Sequence, residues 1–147
     1  LKCKIVAIDK SKKAIEVAKK NAEMHQVEKK VKFLNIDVDK YLSSKYDLII
    51  SNPPYIKNSE LLSLDKDVKL NEPKIALSGG FSGLETFFKI IDKSRRLLKN
   101  NGMLFLEIGH TQRKDLMNYL KSNRFSQIKI YKDLSKNDRC LVSTKYQ

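Results

Sequence analysis

Short apolar runs alternate along this chain with segments whose apolar residues recur every three or four positions. The runs predict β-strands, and the periodic segments predict helices. The predicted strands cover residues 4–8, 31–36, 47–50, 103–108, 127–131 and 139–144. The predicted helices cover 11–24 with Ser11 as N-cap, 84–98 before a stop at Asn100-Asn101-Gly102, and a short segment at 116–120. This alternation predicts an α/β fold with a mainly parallel sheet.

Three segments add detail to that fold. Residues 4–8 are almost continuously apolar and rich in β-branched side chains, which is typical of a buried parallel strand. Residues 133–138 are a polar turn, so the last two strands are predicted to form an antiparallel hairpin. Residues 56–83 lose all periodicity and carry scattered glycines and charges, which predicts a functional loop or a small insertion.

The composition is that of a single globular domain with a basic surface. The chain has 147 residues, of which 41% are hydrophobic and 32% charged, enough apolar material for a core. Its 30 Lys+Arg exceed its 17 Asp+Glu, for a net charge of +13 that is spread along the chain. A solvated basic surface is therefore favoured over a dedicated nucleic-acid face, while a weak contact with RNA or the ribosome stays open.

Membrane insertion and export are not expected. No apolar run reaches about 18 residues, and the first residues lack the layout of a secretory signal. Cys3 and Cys140 lie far apart without a CxxC partner, so neither a disulfide framework nor a metal site is predicted. We therefore expect a cytoplasmic protein without a membrane contact.

Polar residues stand where the predicted strands end. In open α/β sheets, ligands bind at the carboxyl ends of the strands, and those ends carry Asp9, Asp37, Glu107 and the segment Asn52-Pro53-Pro54-Tyr55. An acid after an apolar strand, such as Asp9, is suited to accept hydrogen bonds from ribose hydroxyls. Taken alone, Asp9 is equally well explained as a residue that helps to start the helix at Ser11.

Asn52-Pro53-Pro54-Tyr55 is suited to receive a planar nitrogen. The lone pair of a carboxamide or aryl amine is delocalised, so the nitrogen is a poor nucleophile unless it is oriented. If the Asn52 side-chain oxygen and the Pro53 carbonyl each accept one N–H, the lone pair can be aimed at an electrophile. Tyr55 can stack on the planar group, and the rings of Pro53 and Pro54 hold the turn in shape.

An activated methyl group is the electrophile that this arrangement favours, because no strong base is then needed. The proton can leave after positive charge has developed on the nitrogen. A methyl group on a sulfonium points to S-adenosylmethionine as cofactor. Its ribose would suit Asp9, and its adenine edge would suit Asp37 and the backbone at Val38.

A series of motifs covers essentially the whole chain and resembles one family. The motifs are Val6-Ala7-Ile8-Asp9, Asp37, Asn52-Pro53-Pro54-Tyr55-Ile56, Glu72-Pro73-Lys74-Ile75-Ala76-Leu77, Gly79-Gly80, Gly83-Leu84, Glu107-Ile108-Gly109, Asp133-Leu134 and Asp138-Arg139. Together they resemble the HemK/PrmC family, glutamine-N5 methyltransferases that act on peptide-chain release factors. Asn-Pro-Pro-Tyr alone is shared with adenine and guanine amino-methyltransferases, whereas the series after it is more particular to the glutamine enzymes.

The resemblance implies a role for each matching residue. Asp9 would hold the cofactor ribose, Asp37 and Val38 would border the adenine, and Asn52 would touch both cofactor and substrate. Asn52, Pro53, Pro54 and Tyr55 would receive the glutamine side chain, with Asn52, Pro53 and Tyr55 taking part in catalysis. The implied fold is the Rossmann-like fold of class I S-adenosylmethionine-dependent methyltransferases.

The resemblance also implies that residues 1–147 are the C-terminal part of a methyltransferase catalytic domain. Relatives have an earlier strand, central in their sheet, with a Gly-rich cofactor loop and a preceding small helical domain, none of which this sequence contains. Two alternative functions remain. One is a methyltransferase for an exocyclic amino group of adenine or guanine in DNA or RNA, and the other is an inactive fragment that binds RNA or the ribosome.

Overall fold

The computed structural model describes residues 3–42, 45–65, 69 and 72–146. The chain divides after Leu42 into two compact units. None of the helices in the described ranges is both long and apolar enough to cross a membrane.

The first unit is a two-stranded parallel sheet with one helix. Strands β1 (Ile5–Asp9) and β2 (Val31–Asn35) pair in parallel along their whole length, so that Asp9 lies opposite Asn35. Helix α1 (Lys12–Met24) connects them and buries Ile15 and Ala22. Its N-cap is Ser11, whose Oγ accepts a hydrogen bond of 3.2 Å from the backbone N–H of Ala14, as the sequence predicts. Single 3₁₀ turns at Glu28–Lys30 and Val38–Lys40 precede and follow β2.

Strand β1 is parallel, as predicted, but it is not buried. Its three central residues are only half-buried, and Ile5 is 47% exposed. A strand with apolar residues on both faces is buried only when both faces and both edges are covered. Within the described residues, β2 is the only strand that pairs with β1.

The second unit contains a four-stranded mixed sheet in the order β3-β6-β8-β7. Strand β3 (Tyr46–Ser51) runs parallel to β6 (Leu98–Glu107), and β6 runs antiparallel to β8 (Asp138–Lys145). Strand β7 (Phe125–Lys132) pairs with β8 as the predicted antiparallel hairpin. Because β3 and β6 are parallel, the Asn52 segment and Glu107 follow the same end of the sheet.

The core of this unit lies between the sheet and two amphipathic helices, α3 (Glu85–Leu97) and α4 (Arg113–Ser122). Its fully buried apolar side chains come from α3, β6 and the residue that follows β6, α4, β7 and β8. They are Phe87, Ile91, Leu98, Leu104, Leu106, Ile108, Leu116, Leu120, Phe125 and Leu141. One edge of the sheet is less well covered, since Leu48 and Ile50 of β3 are 42% and 72% exposed.

Two sequence expectations need correction here. Helix α3 ends at Leu97, and Leu98 already has the extended backbone of β6 although its spacing continues the helical pattern. Leu98 is fully buried either way, so burial alone did not reveal its conformation. Residues 56–83 also contain short regular elements, namely β4 (Ile56–Lys57), a 3₁₀ turn (Leu61–Ser63), helix α2 (Lys74–Leu77) and β5 (Ser78–Gly80). Elements of two to four residues are too short to show a period.

Leu106 provides a test of the core. Leu106→Ala should lower the free energy of unfolding by about 2–5 kcal/mol, because the side chain is fully buried between paired strands. Leu134→Ala is the matched control, since Leu134 is fully exposed in the hairpin turn and its loss should change stability by no more than about 0.5 kcal/mol. Urea unfolding of both variants measures the difference. Equal effects would contradict the assignment of the core.

Candidate active site

The predicted cofactor residues of the first unit lie together at the carboxyl ends of β1 and β2. Asp9 ends β1, and Asp37 and Val38 follow the end of β2 after Ile36. Asn35 ties these ends together because its side-chain amide donates hydrogen bonds to the carbonyl oxygens of Asp9, at 3.0 Å, and Lys10, at 2.9 Å. The structure thus places Asp9, Asp37 and Val38 at the same end of this two-stranded sheet.

Each of the two acids uses one carboxylate oxygen to shape its own turn. Oδ1 of Asp9 accepts the backbone N–H of Ser11 at 2.7 Å, which confirms the helix-start interpretation of this residue. Oδ1 of Asp37 accepts the backbone N–H of Asp39 at 3.0 Å and caps the 3₁₀ turn. No group in the described ranges donates to the second oxygen of either acid. A cofactor role for Asp9 and Asp37 uses that second oxygen and stays a prediction.

In the second unit, Asn52-Pro53-Pro54-Tyr55 follows β3 as an irregular turn between two regular strands. Asn52 is exposed, Pro53 is buried, and Pro54 and Tyr55 are half-buried. Among the described residues, none forms a hydrogen bond with the Asn52 side chain. The turn therefore presents the Asn52 side-chain amide without a hydrogen-bond partner among the described residues.

Three glycines crowd the backbone and ring of Tyr55. A methyl group on Gly79 would lie 2.7 Å from the Cα of Tyr55, and one on Gly83 would lie 2.6 Å from its carbonyl oxygen. A methyl group on Gly109 would lie 3.3 Å from the ring atom Cδ2. Gly83 also has a φ of +78°, which side chains rarely adopt. The glycines of the motif series thus allow three segments to approach the turn.

Glu85 fixes the loop that carries Gly83. Its Oε1 accepts the backbone N–H of Ser82 at 2.9 Å, and its Oε2 accepts the backbone N–H of Leu84 at 3.1 Å. These bonds, the one from Ser82 foremost, hold the pKa of Glu85 below its usual value. The loop is pre-shaped, and it displays Phe81, whose side chain is 90% exposed.

Sequence reasoning missed two residues that contact the turn. The side chain of Gln112 is buried and donates to the carbonyl oxygens of Gly83, at 2.9 Å, and Tyr55, at 3.2 Å. Arg139 donates to the phenol oxygen of Tyr55 at 3.3 Å. Arg139 belongs to the motif series, so a role could have been sought there, whereas Gln112 stands in no motif and carries no signal of its own.

Other concave surfaces lie away from the turn. A groove of about 630 Å³ is lined by α4, β7 and Tyr146, and another of about 410 Å³ lies between α3 and α4. Neither is lined by a residue of the Asn52 turn. No group of three or more His, Cys, Asp and Glu within the described ranges is arranged to hold a metal ion.

Two solved structures of methyltransferases share the fold of this chain. The chain superposes on an S-adenosylmethionine-dependent O-methyltransferase from Thermotoga maritima with a TM-score of 0.71 and 13% identity, over 98% of this chain and 50% of that one. It superposes on a Streptococcus mutans methyltransferase in complex with SAH with a TM-score of 0.65 and 16% identity, over 97% and 76% of the two chains. The fold is therefore the Rossmann-like fold of S-adenosylmethionine-dependent methyltransferases, which confirms the predicted class.

Sequence comparison gives a narrower result. The profile of the family described as "Methyltransferase small domain" matches residues 2–69. The chain is 37% identical to the release factor glutamine methyltransferase of Thermodesulfovibrio yellowstonii and 35% identical to that of Clostridium acetobutylicum, over 96% of its own length in both cases. The chain is thus similar along nearly its whole length to release factor glutamine methyltransferases, which confirms the resemblance read from the motif series. The chain spans about half the length of these curated relatives.

The hydrogen bonds of Glu85 predict a pH-dependent effect. A carboxyl whose pKa is lowered by folding stabilises the fold above its unfolded pKa, near 4.5, and loses this contribution as the pH falls through the lower folded value. Glu85→Gln should therefore reduce the free energy of unfolding by about 1 kcal/mol at neutral pH and by less at pH 3. Urea unfolding at both pH values tests this, with Glu16→Gln on the exposed face of α1 as the control. A loss independent of pH would contradict it.

The close approach of Gly79 to Tyr55 predicts a second effect. Gly79→Ala forces the two backbones apart, because the nearest atoms to the new methyl group are main-chain atoms that cannot rotate away. We expect a loss of about 1–3 kcal/mol in unfolding free energy. The neighbouring Ser78→Ala removes one exposed hydrogen bond to Asn58 and should cost at most about 1 kcal/mol. Equal unfolding midpoints for the two variants would show that the contact is not tight.

Proposed function

We propose that this chain carries the catalytic residues of an S-adenosylmethionine-dependent methyltransferase that methylates the side-chain amide of a glutamine in a peptide-chain release factor. The observation that supports this most directly is the exposed, uncommitted amide of Asn52 on a rigid turn beside an anchored Tyr55. The names of the relatives support the substrate. A protein with this role in translation would act in the cytoplasm.

The turn offers what a carboxamide substrate needs. The Asn52 side-chain oxygen and the Pro53 carbonyl are acceptors for the two N–H groups of the glutamine, which fixes the nitrogen so that its lone pair, perpendicular to the amide plane, is aimed at the methyl group. The buried Pro53 ring holds this geometry before the substrate arrives, so that little ordering remains to be done on binding. Tyr55 supplies a flat face for the amide.

The residues of the first unit fit the cofactor. S-adenosylmethionine, when bound, supplies a methyl group on a sulfonium that needs no further activation. The free carboxylate oxygen of Asp9 would accept hydrogen bonds from the ribose, and that of Asp37, with Val38, would face the adenine edge. The local turns that engage the other oxygens hold both carboxylates in place.

The catalytic domain is proposed to extend beyond this chain. The curated relatives are about twice as long, and the apolar residues Ile5, Leu48 and Ile50 on the edge strands β1 and β3 are substantially exposed. Apolar strand edges of this kind are normally covered by further structure. A strand and a Gly-rich cofactor loop, as the family resemblance implies, would supply that cover.

Two further activities are kept as outcomes of the test. A diffuse charge of +13 is compatible with a weak contact with RNA or the ribosome and with a nucleic-acid substrate. An enzyme for a base amine needs aromatic or basic residues to hold a flipped nucleotide. In the loop that faces Tyr55, Phe81 is the one exposed aromatic side chain within the described ranges.

Methyl transfer from labelled S-adenosylmethionine tests the proposal. The full-length protein is incubated with a release factor, with the same factor after Gln→Ala substitution at the modified glutamine, and with bulk RNA. We expect label on the unaltered release factor only. Asn52→Ala should abolish transfer without changing the unfolding midpoint, because it removes an acceptor at the reacting nitrogen. Asn118→Ala, at an exposed position of α4, is the control and should keep full activity.

Label on RNA would move the assignment to a base amine. Absence of label on every substrate, together with RNA binding that survives Asn52→Ala, would favour a binding fragment. Label on the Gln→Ala release factor would show that another residue is the acceptor.

A further inference from the structure

Tyr55 is held at two points by residues outside the Asn-Pro-Pro-Tyr motif. Its phenol oxygen accepts a hydrogen bond from Nη1 of Arg139 at 3.3 Å. Its carbonyl oxygen accepts one from Nε2 of Gln112 at 3.2 Å. The first contact orients the Tyr55 ring, and the second fixes the position of the Tyr55 main chain.

Arg139 is itself fixed on three sides. Nε and Nη2 both donate to Oδ2 of Asp133 at 3.1 Å, and Nη1 also donates to the carbonyl oxygen of Ile108 at 3.2 Å. Asp133 is held in turn, since its Oδ1 accepts the backbone N–H of Asn137 at 2.9 Å. That backbone bond, followed by the guanidinium, keeps the pKa of Asp133 below its usual value, so the carboxylate is ionised at neutral pH. A planar fork makes this set of bonds, and a lysine ammonium cannot reproduce it.

Gln112 joins three loops. Its Oε1 accepts the backbone N–H of Gly109 at 2.9 Å, while its Nε2 donates to the carbonyl oxygens of Gly83 and Tyr55. The side chain is 8% exposed, and each of its polar atoms has a partner. The end of β6, the loop before α3 and the motif are therefore locked to one another at this residue.

Arg139 and Gln112 reach Tyr55 from behind, through its hydroxyl and its main chain. We propose that both are positioning residues for the reaction, with Arg139 orienting the Tyr55 ring and Gln112 fixing its backbone, so that the face that receives the substrate amide is aimed before binding. This inference rests on the proposed function. A displacement of about 1 Å in a positioning group is enough to reduce a rate by two orders of magnitude.

A double-mutant cycle tests the role of Arg139. We expect Arg139→Lys and Tyr55→Phe each to lower kcat for release-factor methylation at least tenfold, with less than twofold change in the KM for S-adenosylmethionine. Because Arg139 acts through the Tyr55 hydroxyl, the double variant should be no slower than Tyr55→Phe alone. Multiplicative losses in the double variant would overturn the proposal. Arg113→Lys, which alters an exposed ion pair with Asp138, is the control and should leave kcat unchanged.

Gln112→Glu provides a second variant of the same shape. In this variant a carboxylate would face the carbonyl oxygens of Gly83 and Tyr55, to which the amide now donates hydrogen bonds, so kcat should fall. The unfolding midpoint measured in urea separates this effect from loss of folded protein. If Gln112→Glu loses activity only in proportion to its loss of folded protein, Gln112 has a structural role alone and its part of the proposal fails.

A spectroscopic measurement separates this inference from the proposed function. The ring signals of Tyr55 in an aromatic NMR spectrum, assigned by their absence in Tyr55→Phe, should shift or broaden in Arg139→Lys and stay unchanged in Arg113→Lys. Unchanged Tyr55 signals in Arg139→Lys would overturn the positioning role even in an active enzyme. Altered signals in a protein that methylates no release factor would support it while refuting the substrate.

Discussion

The close packing of other backbone segments against Tyr55 is the constraint on which the rest of the candidate site depends. Parallel pairing of β3 with β6 delivers the Asn52 turn and Gly109 to the same end of the sheet. The short β4–β5 pairing then brings Gly79 and Gly83 against the same residue. Because these glycines have no side chains, their backbones pack directly against Tyr55. Backbone atoms cannot move aside by changing a rotamer, so the position of the turn is tightly restricted.

Polar groups around the site fall into two sets. Glu85 accepts backbone N–H groups with both carboxylate oxygens. Asp133 accepts a backbone N–H group with one oxygen and binds the Arg139 guanidinium with the other. The pKa of each carboxyl is lowered by these contacts. They hold loops. The amide of Asn52 and one oxygen of Asp9 have no partner among the described residues. An acceptor that no protein group uses is available to a ligand, so we propose that the substrate binds at Asn52 and the cofactor at Asp9, each within its own unit.

Much of the architecture could be predicted from local pattern, because strand runs, the Ser11 cap and the polar hairpin turn are each encoded by neighbouring residues. The boundary at Leu98 could not, since a fully buried leucine satisfies a helix and a strand equally. The exposure of Ile5 was also missed, because its burial depends on neighbours rather than on its own strand. Asn52 and Tyr55 were predicted as site residues through chemistry specific to their motif. Gln112 is a single polar residue whose partners lie 29 and 57 positions away, so only the folded chain reveals it.

The C-terminal hairpin illustrates why such residues matter. Asp133 and Arg139 frame its turn, and Arg139 reaches a phenol 84 positions earlier in the chain. Many sequences can form a turn that reverses the chain. Reversal alone therefore does not require an ionised Asp that binds a guanidinium group. The partly buried ion pair between Asp133 and Arg139 orients the guanidinium group, which also donates a hydrogen bond to the Tyr55 hydroxyl. Residues 133–139 then help to hold Tyr55, and the hairpin links the far edge of the sheet to the Asn52 turn.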